Sequence, residues 1–511
     1  MIVVLIDFSD RTMGQTTTHF NDLFFSTGVL PHGSVKEYYK EVTGSLVDIT
    51  GEVRGPYRMP QTLAWYANNN FGIGKPSGTP RANIMARDAA AAADADVNYA
   101  PYDNDGNGYV DAFVVIHAGS GGEQTGNPGD IWSHKWTLPS EYNADGTKIF
   151  AYLTVPEDCR LGVCAHELGH LLFGFPDLYD TDYTSEGIGN WCLMAGGSWN
   201  GSAAGAQAGD IPAHPSAWCK VNQGWATVTN VTSTGTLTIS DVKTSRNVNR
   251  LWKDGAGGSE YFLLENRQRS GYDAGLPGDG LLIWHIDENQ PGNTDENHYK
   301  VGLVQADGKR DLELDHNRGD SGDPYPGSSN NSSLTDSTTP NSKSYAGANT
   351  CVSISNISAS AATMTATVRV SCGKSIVKDS KDLKDRKEFR KEGKDGKDTK
   401  DRKDRKEARK EFKERKEIKD GKEIETPGLR GRSPETDYED IGTALYDLQS
   451  RVAAIEEALG LGSDAQTFIG PELRPDLAGG PVYEETAAPI EQRMTQGDRD
   501  AKRQFDTIPP R

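Results

Sequence analysis

The chain has 511 residues, 35% of them hydrophobic, and carries 74 acidic against 55 basic side chains for a net charge of −19. That length accommodates about three domains, and the low apolar share points to a large polar fraction beside the folded core. The negative balance argues against nucleic acid as a main partner, and no apolar run reaches the ~18 residues of a membrane span.

The N-terminal stretch MIVVLIDFSD has no basic leader and meets Asp7 too early for a signal peptide. Val3, Val4, Leu5 and Ile6 therefore predict a central buried strand, and any export signal or pro-segment is expected outside this sequence. Residues 34–42, opened by Gly33 and a Ser34 cap, predict a helix. The alanine-rich stretch 81–96 predicts a second helix, residues 110–116 a second strong strand, and residues 159–173 an apolar helix. Residues 1–225 thus read as a mixed α/β unit.

Residues 226–372 change character. Thr, Val, Ser and Gly dominate, in short alternating runs at Thr236–Ile239, Tyr261–Glu265, Leu281–Ile286 and Met364–Val370, the pattern of an all-β module. Residues 373–433 read as a charged low-complexity linker of irregular Lys-Asp and Lys-Glu repeats, too poor in apolar side chains to bury a core. Within 434–462, Ile441, Leu445, Leu448, Val452, Ile455 and Leu459 are spaced 4, 3, 4, 3 and 4 apart, the seam of a short coiled coil. Such a helix either makes a homo-oligomer through residues 437–460 or packs on its own protein. Residues 463–511 read as an irregular tail.

Six cysteines, none in a C-x-x-C pair, permit three disulfides. Cys351 and Cys372 bracket a strand-rich segment and are the first pair expected. Cys159, Cys164, Cys192 and Cys219 are either paired or buried free thiols.

The strongest chemical signal is Cys164-Ala165-His166-Glu167-Leu168-Gly169-His170. Histidines at i and i+4 lie one above the other on a helix face, so both imidazoles can reach one ion, and neutral imidazole suits zinc. Zinc acidifies water toward a pKa of about 7, and Glu167, next to His166, can take its proton during attack on a peptide carbonyl. A catalytic zinc needs a third protein ligand and one open position. Leu171, Leu172 and Phe173 continue the helix, Gly174 can break it, and Asp177 follows Pro176. Asp177 can swing back as the third ligand or serve as a turn or outer carboxylate; Asp180, Asp182 and Glu186 compete with it. Met194 lies in a Gly-rich turn just over twenty residues beyond the helix. There it is either core filler or the methionine that metzincin-type proteases place beneath the zinc.

Together HELGHLLFGFPDLYD, GNWCLMAGGSWNG and HPSAWCKVNQGW resemble peptidase family M6, the immune inhibitor A group of secreted bacterial metalloproteases. The resemblance extends upstream to IDFSD, GSVKEYYKEV and DGNGYVDAFVVIHAG, downstream to EYFLLENRQRSGYDAGLPGDGLLIWHID, and covers roughly residues 1–370. It implies a zinc endopeptidase of metzincin-like architecture, secreted, often calcium-stabilised and made as a zymogen. By motif, His166 and His170 would bind zinc, Glu167 would be the base and Met194 the Met-turn. Two departures stand out. The family spacing HExxHxxGxxD is one residue shorter than the HExxHxxxGxxD found here, and the signal and pro-segment that the family implies are not in this sequence.

Asp103, Asp105, Asn107, Tyr109 (through its carbonyl) and Asp111 occupy positions 1, 3, 5, 7 and 9 of an EF-hand-type loop with Gly at 6. Position 12 is Val114, so a bidentate ligand must come from elsewhere. The expected ion is a structural Ca²⁺; the alternative is an Asx-rich turn. Asp311, Asp315, Asp320 and Asp323 mark a second, weaker acidic loop. His134 and His214 either line a cleft or are structural, and His285 reads as structural.

The expected architecture is an α/β (α+β) metzincin-like zinc protease domain followed by an all-β domain, a charged linker and a short C-terminal coiled-coil helix. The expected function is zinc-dependent endoproteolysis of protein or peptide substrates, extracellular by resemblance. The alternatives are a catalytically inactive binding or adhesion module that keeps the fold, and a fusion in which the coiled coil tethers the enzyme.

Overall fold

The N-terminal apolar run forms strand β1 (Ile2–Asp7), every residue of which is buried. Burial on both faces is what an interior strand of a covered sheet requires. The computed structural model describes residues 1–75 and 78–372; the linker, coiled-coil-like helix and tail expected over 373–433, 434–462 and 463–511 lie outside them.

After β1 come helices α1 (Thr17–Phe25) and α2 (Val35–Val42), strand β2 (Glu52–Arg58), helices α3 (Leu63–Ala67) and α4 (Ala82–Ala93), strand β3 (Phe113–His117) and the one-turn helix α5 (Gly122–Thr125). The hairpin strands β4 (His134–Ala144) and β5 (Thr147–Pro156) and helix α6 (Leu161–Phe173) complete this part. Ser34 starts α2 through a reciprocal capping box with Glu37. The second strong strand begins at Phe113 rather than at residue 110. Val110 and Asp111 still belong to the acidic loop, their N–H groups donating to the carbonyls of Lys148 and Tyr102.

These strands form one mixed sheet in the order β2-β1-β3-β5-β4. β1 runs parallel to β2 and β3, β3 runs parallel to β5, and β4 is an antiparallel edge strand. Alternation sorts its side chains between two cores. Val3, Leu5, Val114, Ile116, Leu153 and Val155 join α2 and α6, whereas Ile2, Val4, Ile6, Phe113, Val115 and Tyr152 join α3 and α4.

Helix α7 (Ala217–Asn222) leads into strands β6 (Thr227–Asn230) and β7 (Gly235–Ser240), the one-turn helix α8 (Val242–Ser245), and strands β8 (Asn247–Leu251), β9 (Glu260–Arg267), β10 (Gly280–Asp287), β11 (Val301–Leu303), β12 (Ser353–Ser355) and β13 (Thr363–Arg369). They make a five-stranded sheet, β11-β10-β9-β8-β6, and a three-stranded one, β12-β13-β7. Phe262, Leu264, Leu281 and Ile283 of the first sheet pack on Ile239, Ile354, Met364 and Val368 of the second. The opposite face of the larger sheet, with Leu263, Leu282, Trp284 and Ile286, shares its core with α6, Trp191 and Met194. The core thus runs across residue 226, where the composition changes, and sheet and metal-motif helix brace one another.

Among the described residues the architecture is mixed α/β, with three sheets and short helices, compatible with α+β. Cys351 and Cys372 form a disulfide, while Cys159, Cys164, Cys192 and Cys219 are buried free thiols, so three disulfides are not formed. No helix of the described residues is long and apolar enough to cross a membrane.

Candidate active site

Helix α6 carries His166, Glu167 and His170 and ends at Phe173, where Gly174 takes a left-handed conformation (φ +64°). The Gly174 N–H donates to the His170 carbonyl and the Phe175 N–H to the Gly169 carbonyl, closing the helix around a left-handed residue. The residue that lengthens the motif is absorbed as a last helical position. Phe173 packs its ring at 5.2 Å from Tyr39 and 4.8 Å from Trp225, centroid to centroid. Beyond the turn, the Leu178 N–H donates to the Met194 carbonyl at 2.7 Å, which fixes the segment bearing Asp177 against the segment bearing Met194.

Asp177 Oδ1 stands 3.1 Å from His166 Nε2 and 3.0 Å from His170 Nε2, and the two Nε2 atoms are 3.0 Å apart. His166 Nδ1 faces the Leu193 carbonyl at 2.9 Å and His170 Nδ1 the Phe175 carbonyl at 2.6 Å. With Nδ1–H donating outward, each Nε2 lone pair points at the shared centre, as in histidines that bind metal. Ligand atoms about 2 Å from one tetrahedral ion stand about 3.3 Å from one another, close to the spacings seen here. The electrostatics point the same way. Burial alone would raise Asp177 and lower His170, yet their mutual attraction wins: Asp177 is held well below the usual carboxylate range and His170 above its ordinary value. Such a group favours net positive charge at its centre. The donor set fits zinc.

Glu167 is buried, and its Oε2 has no hydrogen-bond partner. Burial pushes the carboxyl up to about 8, Asp177 and Glu123 add to the rise, and His166 opposes it. A cation nearby would bring it down. Met194 is fully buried, and its Sδ lies 2.7 Å from where a β-carbon on Gly169 would stand. The rival acids are engaged elsewhere. Asp180 accepts from the Asp182 N–H, Thr184 and Ser185, Asp182 accepts from Thr184, and Glu186 pairs with Arg318 at 2.9 Å.

Three further groups reach this site and are not evident in the sequence. The Tyr179 ring lies roughly parallel to His166 at 6.4 Å. Glu123 and Lys135 are near enough to act on the charges of Glu167 and His170 respectively. Only strand register, which no local motif encodes, could have revealed Lys135.

In the first acidic loop, the carboxylates of Asp103, Asp105 and Asp111 converge, and Asp103 Oδ1 is buried without a partner. Asn107 is spent on the turn instead, accepting from the Tyr109 N–H and donating to Asp105. The Tyr109 N–H is thus used in the loop, while its hydroxyl donates to Glu141. The second loop departs from expectation: the third carboxylate that joins Asp311 and Asp320 is Asp307, whereas Asp323 turns inward to accept from Trp191 Nε1 at 3.0 Å. His134 bonds Tyr152 and the Trp132 carbonyl, His214 bonds Glu41, and His285 bonds Glu260.

Residues 5–226 match the family model described as "Immune inhibitor A peptidase M6, catalytic domain". The chain is 33% identical over 243 residues to the pre-pro-metalloprotease PrtV of Vibrio cholerae serotype O1, a match covering 40% of this chain and 25% of that protein. It is 36% identical over 201 residues to immune inhibitor A of Bacillus thuringiensis subsp. alesti, covering 33% of this chain and 29% of that one. The chain therefore spans 25% to 29% of the length of the curated relatives it matches. The domain at residues 5–226, which carries the HExxH helix and its converging carboxylate, is thus similar to the catalytic domain of M6 peptidases.

Proposed function

We propose that this protein is a zinc-dependent endopeptidase of metzincin-like build that hydrolyses peptide bonds in proteins. The observation that carries the reading is the convergence of His166 Nε2, His170 Nε2 and Asp177 Oδ1 beside the buried, unpartnered carboxylate of Glu167. His166, His170 and Asp177 would hold the metal. When bound, zinc supplies Lewis acidity, which polarises a scissile carbonyl and acidifies water. Glu167 takes the proton of the attacking water and passes it to the leaving amine. Met194 supports the site from below through its contact with Gly169, and the Leu193 and Phe175 carbonyls keep the imidazoles aimed.

A calcium ion at Asp103, Asp105 and Asp111 belongs to this proposal as a structural brace for the loop entering β3, supported by their converging carboxylates and the partnerless Asp103 oxygen. Extracellular action follows from the family resemblance. The test is a casein-degradation assay on the purified chain. Hydrolysis should cease with a zinc chelator and return with stoichiometric zinc. Chelator-resistant hydrolysis, or none in the zinc-loaded protein, would reject the reading.

A further inference from the structure

Strand β4 places one cation where an anion is missing. Lys135 pairs across the sheet with Leu153, so the two side chains share a face. Leu153 belongs to the core that contains α6, whereas the neighbouring pair His134 and Tyr152 faces the other way, toward the core of α3 and α4. Lys135 therefore projects on the side of the sheet that carries the metal-motif helix, which packs against β4, and its charge is felt at His170. β4 is one of the sheet's two edge strands, the position at which a further extended chain can pair.

The ammonium is half-buried and makes no hydrogen bond or ion pair among the described residues. Burial alone acts on its titration, lowering it, with no carboxylate to compensate. A partly buried, unpaired charge is costly. Its isolation is unusual in a chain with 74 acidic side chains, since lysines elsewhere, Lys36, Lys220 and Lys243 among them, find carboxylates.

We propose that Lys135 is a specificity-determining residue whose ammonium receives the carboxylate of an acidic substrate side chain next to the scissile bond. This rests on the peptidase reading above. A site holding a buried donor discriminates against a substrate that lacks the acceptor, because the donor is then left unpaired. The ammonium donates to the carboxylate, and the pair is formed only when substrate lies along β4.

The experiment uses the zinc-loaded full chain and fluorogenic peptides with acetylated and amidated ends, in matched pairs carrying Glu or Gln immediately before or after the cleaved bond. Wild type should favour the Glu peptide of one pair by about tenfold in kcat/KM. The ratio should fall to about 1 in Lys135→Met and invert in Lys135→Glu, with thermal melting confirming that both variants fold. Binding of the same peptides to zinc-loaded Glu167→Ala protein, and to that protein also carrying Lys135→Met, is followed by fluorescence anisotropy. It should show the same preference and the same loss. Equal ratios in wild type and Lys135→Met overturn the proposal. If wild type cleaves no peptide, the peptidase reading fails by itself, and the binding arm still decides the role of Lys135.

Discussion

Gly162 lies so close to Ser198 that a β-carbon on it would stand 1.8 Å from the Ser198 carbonyl oxygen. The Gly162 N–H also donates to the Gly209 carbonyl at 2.8 Å. The base of α6 is thereby keyed to the segment that follows Met194, and seven residues on, Gly169 admits the Met194 thioether in the same manner. Gly162→Ala should destabilise the protein by about 1–3 kcal/mol, because the obstacle is backbone and cannot swing aside. Gly169→Ala should cost less, since its obstacle is a flexible methionine. Thermal or urea unfolding of the two variants checks the order, and a larger loss at Gly169 would contradict it.

Substitutions at Asp177 and Asp180 distinguish the proposed third ligand from a loop carboxylate. Asp177→Ala should weaken zinc binding by at least about 100-fold in competition with a chelating dye, taking the loss on removal of an outer partner as a floor. Asp180→Asn should leave zinc affinity near wild type, because Asp180 is occupied by the Asp182 N–H, Thr184 and Ser185. Equal losses would reassign the third ligand.

Stability should carry a pH signature from Asp323. Burial raises this carboxyl to about 7, with Asp320 and Asp307 adding to the rise and the Trp191 and Asp320 N–H groups opposing it. An unfolded aspartate titrates near 4. Between about pH 4 and 7 the folded state therefore binds the extra proton, and this group's contribution to stability declines as pH rises. The slope is about one tenfold loss in the folding equilibrium per pH unit. Asp323→Asn keeps an oxygen for Trp191 and should remove that slope when urea midpoints of variant and wild type are compared at pH 5 and 7. An unchanged difference between the two proteins across that range would show that Asp323 titrates normally.

The buried Arg267 ties the larger β-sheet to the metal-motif side. Its guanidinium bonds Asp273 and Glu265 and reaches the Trp191 and His214 carbonyls, all without exposure of the side chain. Arg267→Ala leaves two buried carboxylates with only Lys220 at Glu265 and the more distant Lys243 at Asp273, and the expected cost is about 3–5 kcal/mol. Chemical denaturation measures it. A loss below ~1 kcal/mol would show that water replaces the guanidinium.

What the sequence discloses about the site is what is local. His166 and His170 can be read as a pair because helical spacing alone puts them on one face. The role of Asp177 cannot be read this way, because it depends on whether the extra residue enlarges the turn or lengthens the helix. The packing of Phe173 against Tyr39 and Trp225, residues distant in the chain, decides that. The β4–β5 hairpin escapes a pattern search because Pro139 and a register shift between Thr137 and Tyr142 interrupt the alternation of β4. Its one local mark is the Asp145-Gly146 turn, both residues at positive φ. Lys135 and Asp307 are missed for the same reason, since their neighbours come from other strands and loops. In the β-rich part, the runs at Leu281–Ile286 and Met364–Val370 are legible as strands, but not that one face of the larger sheet joins the core of α6.

Replacing Glu167 tests the central claim most directly. Purified wild type and Glu167→Ala are compared for bound zinc by metal analysis and for peptide hydrolysis under the same conditions. The account predicts one zinc per chain in both proteins and a fall in kcat/KM of about 10²–10⁴-fold in the variant, the range expected when a general base is lost. Wild-type hydrolysis by Glu167→Ala would contradict it, as would a wild-type chain that binds no zinc.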